Sequence, residues 1–196
     1  MPRRGTPFII RRAPRWALAA LVLLAALASP LATPPAAAAT VLPPGFSEQV
    51  VGTGMLKPTA MTLLPDGRIF VSEQAGRLRV IKDDQLLPDA FHTVPALAVQ
   101  ENGLMGVTLD PDFAQNGFVY VFYTAKGPPV HNRVSRLRVD PERPDRSDGS
   151  ETLIFRFPDS GAELHNGGGV HFGPDGKLYI SAGDKQGYAQ SMQTLG

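Results

Sequence analysis

Cysteine is absent from the 196 residues, which excludes disulfides, Cys-ligated zinc, thiol catalysis and a lipidated N-terminal Cys. The short signatures of several common chemistries are missing as well. No G-x-G-x-x-G opens a helix, no P-loop lysine follows a glycine run, and no H-E-x-x-H pair is available for zinc. No serine has a nucleophile-elbow context, and Asp110 and Asp112 are better explained by the turn at Pro111 than by a calcium loop. Helical periodicity of useful length is lacking after residue 40. A membrane anchor needs roughly 20 unbroken apolar residues, but the run Trp16 to Ala28 is followed by Pro30, Pro34 and Pro35.

What stands at the N-terminus instead has the three zones of a cleavable secretion signal. Arg3, Arg4, Arg11, Arg12 and Arg15 make a basic start, the apolar run follows, and Ala37-Ala38-Ala39 supplies the small residues of a cleavage site. Residues 1–39 are read as signal peptide and 40–196 as the mature part, exported to the periplasm or beyond the cell and not inserted in a membrane after cleavage. The leader holds five of the 19 basic residues and none of the 18 acids. That leaves 14 against 18, about −4, so a basic nucleic-acid-binding surface has no support. Export without disulfides suits a protein that rests on its own core.

The mature sequence repeats a hairpin. Met61-Thr-Leu-Leu-Pro65-Asp66-Gly67-Arg-Ile-Phe-Val-Ser72 and Val170-His-Phe-Gly-Pro174-Asp175-Gly176-Lys-Leu-Tyr-Ile-Ser181 share one layout of strand, turn and strand. Proline fixes φ and glycine accepts φ > 0 in such turns. Val107-Thr-Leu-Asp-Pro111-Asp112-Phe113 reaches its second strand, Phe118 to Tyr123, through a longer turn at Asn116-Gly117. A third strand follows at Gly76 to Ile81 and at Ser135 to Val139, each alternating basic and apolar residues. Asp140 to Gly149, rich in acids and proline, is read as a polar connecting loop. The turn prolines lie 46 and 63 positions apart, the period of a propeller blade. A β-sandwich would also alternate, but the blade-length repeat favours an all-β propeller of four-stranded antiparallel blades. A ring needs at least four blades, and residues 40–196 hold about three. The chain is therefore expected to be the N-terminal part of a longer protein.

Of the four histidines, His92 and His131 stand near proline-rich loops and are assigned to the surface, and His171 lies inside a strand. His165 differs. It precedes Asn166-Gly167-Gly168-Gly169, where absent side chains would let a flat ligand approach the backbone. The partner strand ends in Ser181-Ala182-Gly183-Asp184, so the hairpin can return Asp184 to the end of the blade that carries His165. A carboxylate there can orient an imidazole as a general base. On the residues alone, a turn histidine remains the simpler reading.

Leu64-Pro65-Asp66-Gly67-Arg68 with Glu73, Glu101-Asn102-Gly103-Leu104-Met105-Gly106, Asp110-Pro111-Asp112-Phe113, and His165-Asn166-Gly167-Gly168-Gly169 leading to Gly183-Asp184 resemble the soluble quinoprotein glucose/sorbosone dehydrogenases, including aldose sugar dehydrogenases. The resemblance runs from roughly Pro44 to the end. It implies a six-bladed propeller, here represented by about its first three blades. It also implies an oxidoreductase that oxidises an aldose at the anomeric hydroxyl, with hydride transfer to pyrroloquinoline quinone (PQQ) and re-oxidation by an electron acceptor. His165 falls on the family's catalytic base, Asp184 on the carboxylate supporting it, and Glu101 on a position where a Gln often contacts the cofactor. His165, Asp184 and Glu101 are thus the expected cofactor-binding set. Two positions depart from the family: Leu164 stands where glucose enzymes carry a carboxylate, and Gly168 and Gly169 stand where many carry a basic residue. No metal site is expected in this stretch, and calcium ligands, if the protein has them, would lie beyond residue 196. The alternative is a non-catalytic ligand- or carbohydrate-binding propeller. A calcium-dependent lactonase-type hydrolase is disfavoured by the lack of a convergent acid cluster.

Overall fold

The structure, a computed structural model, describes residues 41–157 and 164–184. The expected leader, 1–39, lies outside the described residues. The chain divides into Met1–Ser47 and Glu48–Gly196. In the first unit, the Phe46 N–H donates to Pro43 O at 3.2 Å. The second unit carries every described strand.

Three antiparallel sheets follow one another. The first joins β1 (Pro58–Leu63), β2 (Ile69–Glu73) and β3 (Arg77–Lys82) in order, and β3 then pairs with both β4 (Gln85–Leu86) and β5 (His92–Thr93). Because β4 and β5 occupy successive stretches of the same β3 edge, Ile81↔Leu86 and then Leu78↔His92, they act as one interrupted fourth strand. The second sheet is β6 (Leu104–Leu109), β7 (Phe118–Ala125), β8 (His131–Asp140) and β9 (Arg143–Arg156), in that order. The third, as described, is the hairpin β10 (Gly167–Phe172) and β11 (Leu178–Ala182). The first strands of the three sheets touch one another, β1 with β6 and β6 with β10. This is the blade-on-blade stacking of a propeller, as the sequence repeat implies.

Turn chemistry accounts for the hairpins. At Pro65-Asp66-Gly67 the Gly67 N–H donates to Leu64 O, with Gly67 at φ 90°. In the second blade, the longer β6–β7 connection holds a one-turn helix, α1 (Phe113–Asn116), closed by Gly117 at φ 65°. Asp110 organises that connection. Burial opposes ionisation of Asp110, yet bonds from Asn116, the Asp112 N–H and Tyr120 hold its carboxyl below the usual carboxylate range.

The core lies between sheets. Phe70, Leu78 and Val80 of the first blade meet Leu104, Val107, Val119, Val121 and Tyr123 of the second. On the other face of β7, Tyr120 and Phe122 pack with Val134 and with Val170 of the third blade. Strand β7 is apolar on both faces because it is covered on both.

One expectation is corrected. Asp140 to Gly149 is no loop. It turns at Asp140↔Arg143 and continues as β9, pairing Val139↔Ser147 and Leu137↔Glu151 with irregular register. Polar residues and Pro144 are tolerated there because β9 is the outermost strand of its sheet, where solvent satisfies what the ladder does not.

Candidate functional site

The β10–β11 hairpin is built to bring its two open ends together. Gly167 pairs with Ala182 at the last rung, and His165 and Asp184 continue just beyond it. His165 Nδ1 lies 2.8 Å from Asp184 Oδ1. An ionised carboxylate only accepts, so Nδ1 carries the proton and the neutral ring keeps its lone pair on Nε2. Nε2 has no hydrogen-bond partner among the described residues. The imidazole is 56% exposed and the Asp184 side chain 25%. This arrangement can accept a proton from a bound hydroxyl while the carboxylate steadies the charged ring.

Glu101 reaches the same histidine from the loop between the first two blades. The His165 main-chain N–H donates to Glu101 Oε2 at 2.6 Å. His165, Asp184 and Glu101, three positions far apart in sequence, are therefore neighbours. The β10 glycines are closely packed against neighbouring backbone and side chains. A Cβ at Gly167 would lie 2.6 Å from Gly183 N, one at Gly168 2.8 Å from Met105 Cβ, and one at Gly169 2.6 Å from Ser181 Oγ. Their missing side chains make room for the protein's own strands. A cleft bounded by Ala60, Met61, Met105, Gly106 and the β10 glycines runs alongside, between the first strands of the blades.

A buried polar chain escaped the sequence reading. Thr124 Oγ1 lies 2.7 Å from Asn132 Oδ1 and 3.2 Å from Asn102 Oδ1, and Asn132 Nδ2 donates to Asn166 Oδ1 at 3.0 Å. All four residues are buried. Asn102 and Asn166 directly follow Glu101 and His165, so the chain runs beside the site and links the second blade to the loops before β6 and β10. The available signal was polar residues in strands that otherwise bury apolar ones: Thr124 ends the run Val-Tyr-Val-Phe-Tyr of β7.

The other histidines take no part. His131 Nδ1 sits 2.9 Å from Pro129 O, and His171 is exposed across from Tyr179. His92, assigned to the surface, is half-buried with Nδ1 2.6 Å from Ser147 Oγ. Among the described residues no cluster of three or more His, Asp or Glu could hold a metal, and no helix is long and apolar enough to cross a membrane.

The chain as a whole is similar to several known proteins. The family model described as Glucose / Sorbosone dehydrogenase matches residues 55–196. An uncharacterised Synechocystis protein is 34% identical over 147 residues, covering 67% of this chain and 34% of that protein. Quinoprotein glucose dehydrogenase B of Acinetobacter calcoaceticus is 27% identical over 150 residues, covering 71% of this chain and 31% of its own length. The Hedgehog-interacting protein of Mus musculus is 31% identical over 155 residues, 69% of this chain and 22% of that protein. Among solved structures, a glucose dehydrogenase-type oxidoreductase from Thermus thermophilus superposes with TM-score 0.67 at 30% identity, over 76% of this chain and 44% of that one. The PQQ-bound aldose sugar dehydrogenase of Streptomyces coelicolor gives 0.65 at 29% identity, over 76% of this chain and 45% of that one. The chain thus spans about a third or less of the curated relatives it matches. With a family match over most of its length and stacked antiparallel blades to carry it, the chain belongs to the glucose/sorbosone dehydrogenase family.

Proposed function

We propose that the whole protein is a PQQ-dependent sugar dehydrogenase that oxidises an aldose at its anomeric hydroxyl. The observation that carries this reading is the exposed imidazole of His165 held at Nδ1 by Asp184, 2.8 Å away. It is supported by the likeness to a PQQ-bound aldose sugar dehydrogenase.

The residues present fit the reacting part of such a cofactor. A steadied imidazole with Nε2 open is what removal of a hydroxyl proton requires. PQQ, when bound, supplies the acceptor for the hydride. His165 takes the hydroxyl proton at Nε2 as that hydride leaves, and Asp184 holds the ring's tautomer and stabilises the imidazolium formed. His165 and Asp184 would border the cofactor. The charged groups gathered at His165 are acidic, so partners for the cofactor's three carboxylates would come from elsewhere in the whole protein. An electron acceptor must then re-oxidise the cofactor. We place the protein outside the cytoplasm, in the periplasm or beyond, on the strength of the N-terminal signal pattern.

The test is dye reduction with a panel of aldoses by the PQQ-reconstituted whole protein. Replacing His165 by Ala should lower turnover by about 10²–10⁴-fold, the usual cost of losing a general base. Asp184→Asn should fall between that variant and the parent, and His131→Ala should match the parent. A His165→Ala enzyme that keeps most of its rate would make the histidine a turn residue. A PQQ-loaded parent that oxidises no aldose would favour the binding-propeller reading, which the similarity to a Hedgehog-interacting protein also supports.

A further inference from the structure

We propose that Glu101 is a positioning residue: its carboxylate holds the main-chain N–H of His165, and so fixes the left-handed turn from which the imidazole projects. This rests on His165 being the base in the reading above.

The case begins with an unfavourable backbone. His165 has φ 56°, in the left-handed region that costs a non-glycine residue roughly 1–3 kcal/mol and persists only where neighbours over-determine it. The determining neighbours can be named. Glu101 Oε2 accepts the His165 N–H at 2.6 Å, a charge-assisted bond of the stronger class. The next residue, Asn166, is held from below through Asn132 at 3.0 Å. Two adjacent residues of one loop, Glu101 and Asn102, thus secure two adjacent residues of another. The first contact is direct, and the second runs through Thr124 and Asn132.

The loop that presents Glu101 is itself fastened. Gln74 Nε2 donates to Gln100 O at 2.6 Å and to Asn102 O at 3.0 Å, gripping the residues on either side of Glu101. The Leu104 N–H donates to Gln74 O at 3.0 Å. Gly103, at φ 150°, leaves no room for a Cβ, which would lie 2.4 Å from that same carbonyl. A floppy loop could not set another loop's backbone; this one is anchored on the first blade. Charge points the same way. A carboxylate is a poor direct contact for a cofactor bearing three carboxylates, but a strong acceptor for a main-chain N–H.

The experiment compares the whole protein with Glu101→Gln and Glu101→Leu. The Gln side-chain carbonyl can still accept the N–H; Leu keeps the bulk and cannot. In the cofactor-free protein, the His165 backbone amide proton should move upfield in the Leu variant and stay near its parent position in the Gln variant. In the PQQ-loaded protein, Glu101→Leu should lower kcat roughly 10–100-fold through misplacement of the base. KM for the aldose and half-saturation by PQQ should not change, and Gln should restore kcat. An unmoved His165 amide in Glu101→Leu overturns the proposal. So does a loss confined to PQQ half-saturation, which would make Glu101 a cofactor contact, or a Gln variant as impaired as Leu. If the parent oxidises no aldose, the dehydrogenase reading fails while the amide shift still decides whether Glu101 sets His165.

Discussion

Gly183 shows how closely the site is built. A Cβ there would lie 1.9 Å from His165 O, and one at Gly106 would lie 2.1 Å from Gly168 O. Both contacts are with backbone, which cannot rotate aside. Gly183→Ala should therefore cost about 1–3 kcal/mol, as overpacking does, and displace His165, so that activity falls with the denaturation midpoint. His92 offers a second prediction. Burial lowers its pKa from 6.5, against the pull of Glu151 and Asp148. As pH falls, the unfolded chain binds this proton first. Stability due to His92 is whole above about pH 6.5 and is lost as pH drops from there toward the lowered native value. Guanidinium midpoints near pH 7.5 and 5.5 should differ more for the parent than for His92→Gln. The return of Asp184 to the end of the hairpin that carries His165 was legible from the Pro-Asp-Gly turn, whereas the one-residue register shift between Gly167 and Val170 that sets them opposite each other was not. The Glu101 contact was not, since it joins positions 64 apart across blades, and no local rule reports on that.

At the scale of strands, alternation identified β3 and β8, whose basic residues leave the sheet on one face. It failed at β9, where acids, Pro144 and Gly149 carry the marks of a loop. Outer strands need little hydrophobicity, so their sequences resemble connections. The first blade holds its segments together with a buried charge. Glu73, 0% exposed, accepts the Leu56 N–H at 2.8 Å and faces Arg77 at 2.6 Å and Arg79 at 3.2 Å. One carboxylate thereby joins β2, β3 and the segment leading into β1. Glu73→Ala should cost about 3–5 kcal/mol, because it strands the buried Arg79 guanidinium without a counter-charge. Urea titration would read it. Glu73→Gln, which keeps an acceptor for Leu56, should cost less.

Across the molecule, the blades bury each other's faces and leave others open. Met61 and Leu63 of β1 are 69% and 68% exposed, and Tyr179 of β11 is exposed too. Residues 40–196 prepared alone should consequently associate as concentration rises. Sedimentation should show it, and Leu63→Glu should reduce it; a monomer with a sharp, reversible melt would contradict it. The polar chain from Asn102 to Asn166 has a different kind of consequence. Its members come from the loop before β6, from β7, from β8 and from the loop before β10, so His165 is suspended from neighbouring blades instead of resting on one. Any slippage between blades shifts the histidine before a single strand has melted. The site is in effect a gauge of ring alignment. On slow heating, turnover should decay while the far-ultraviolet strand signal is still intact.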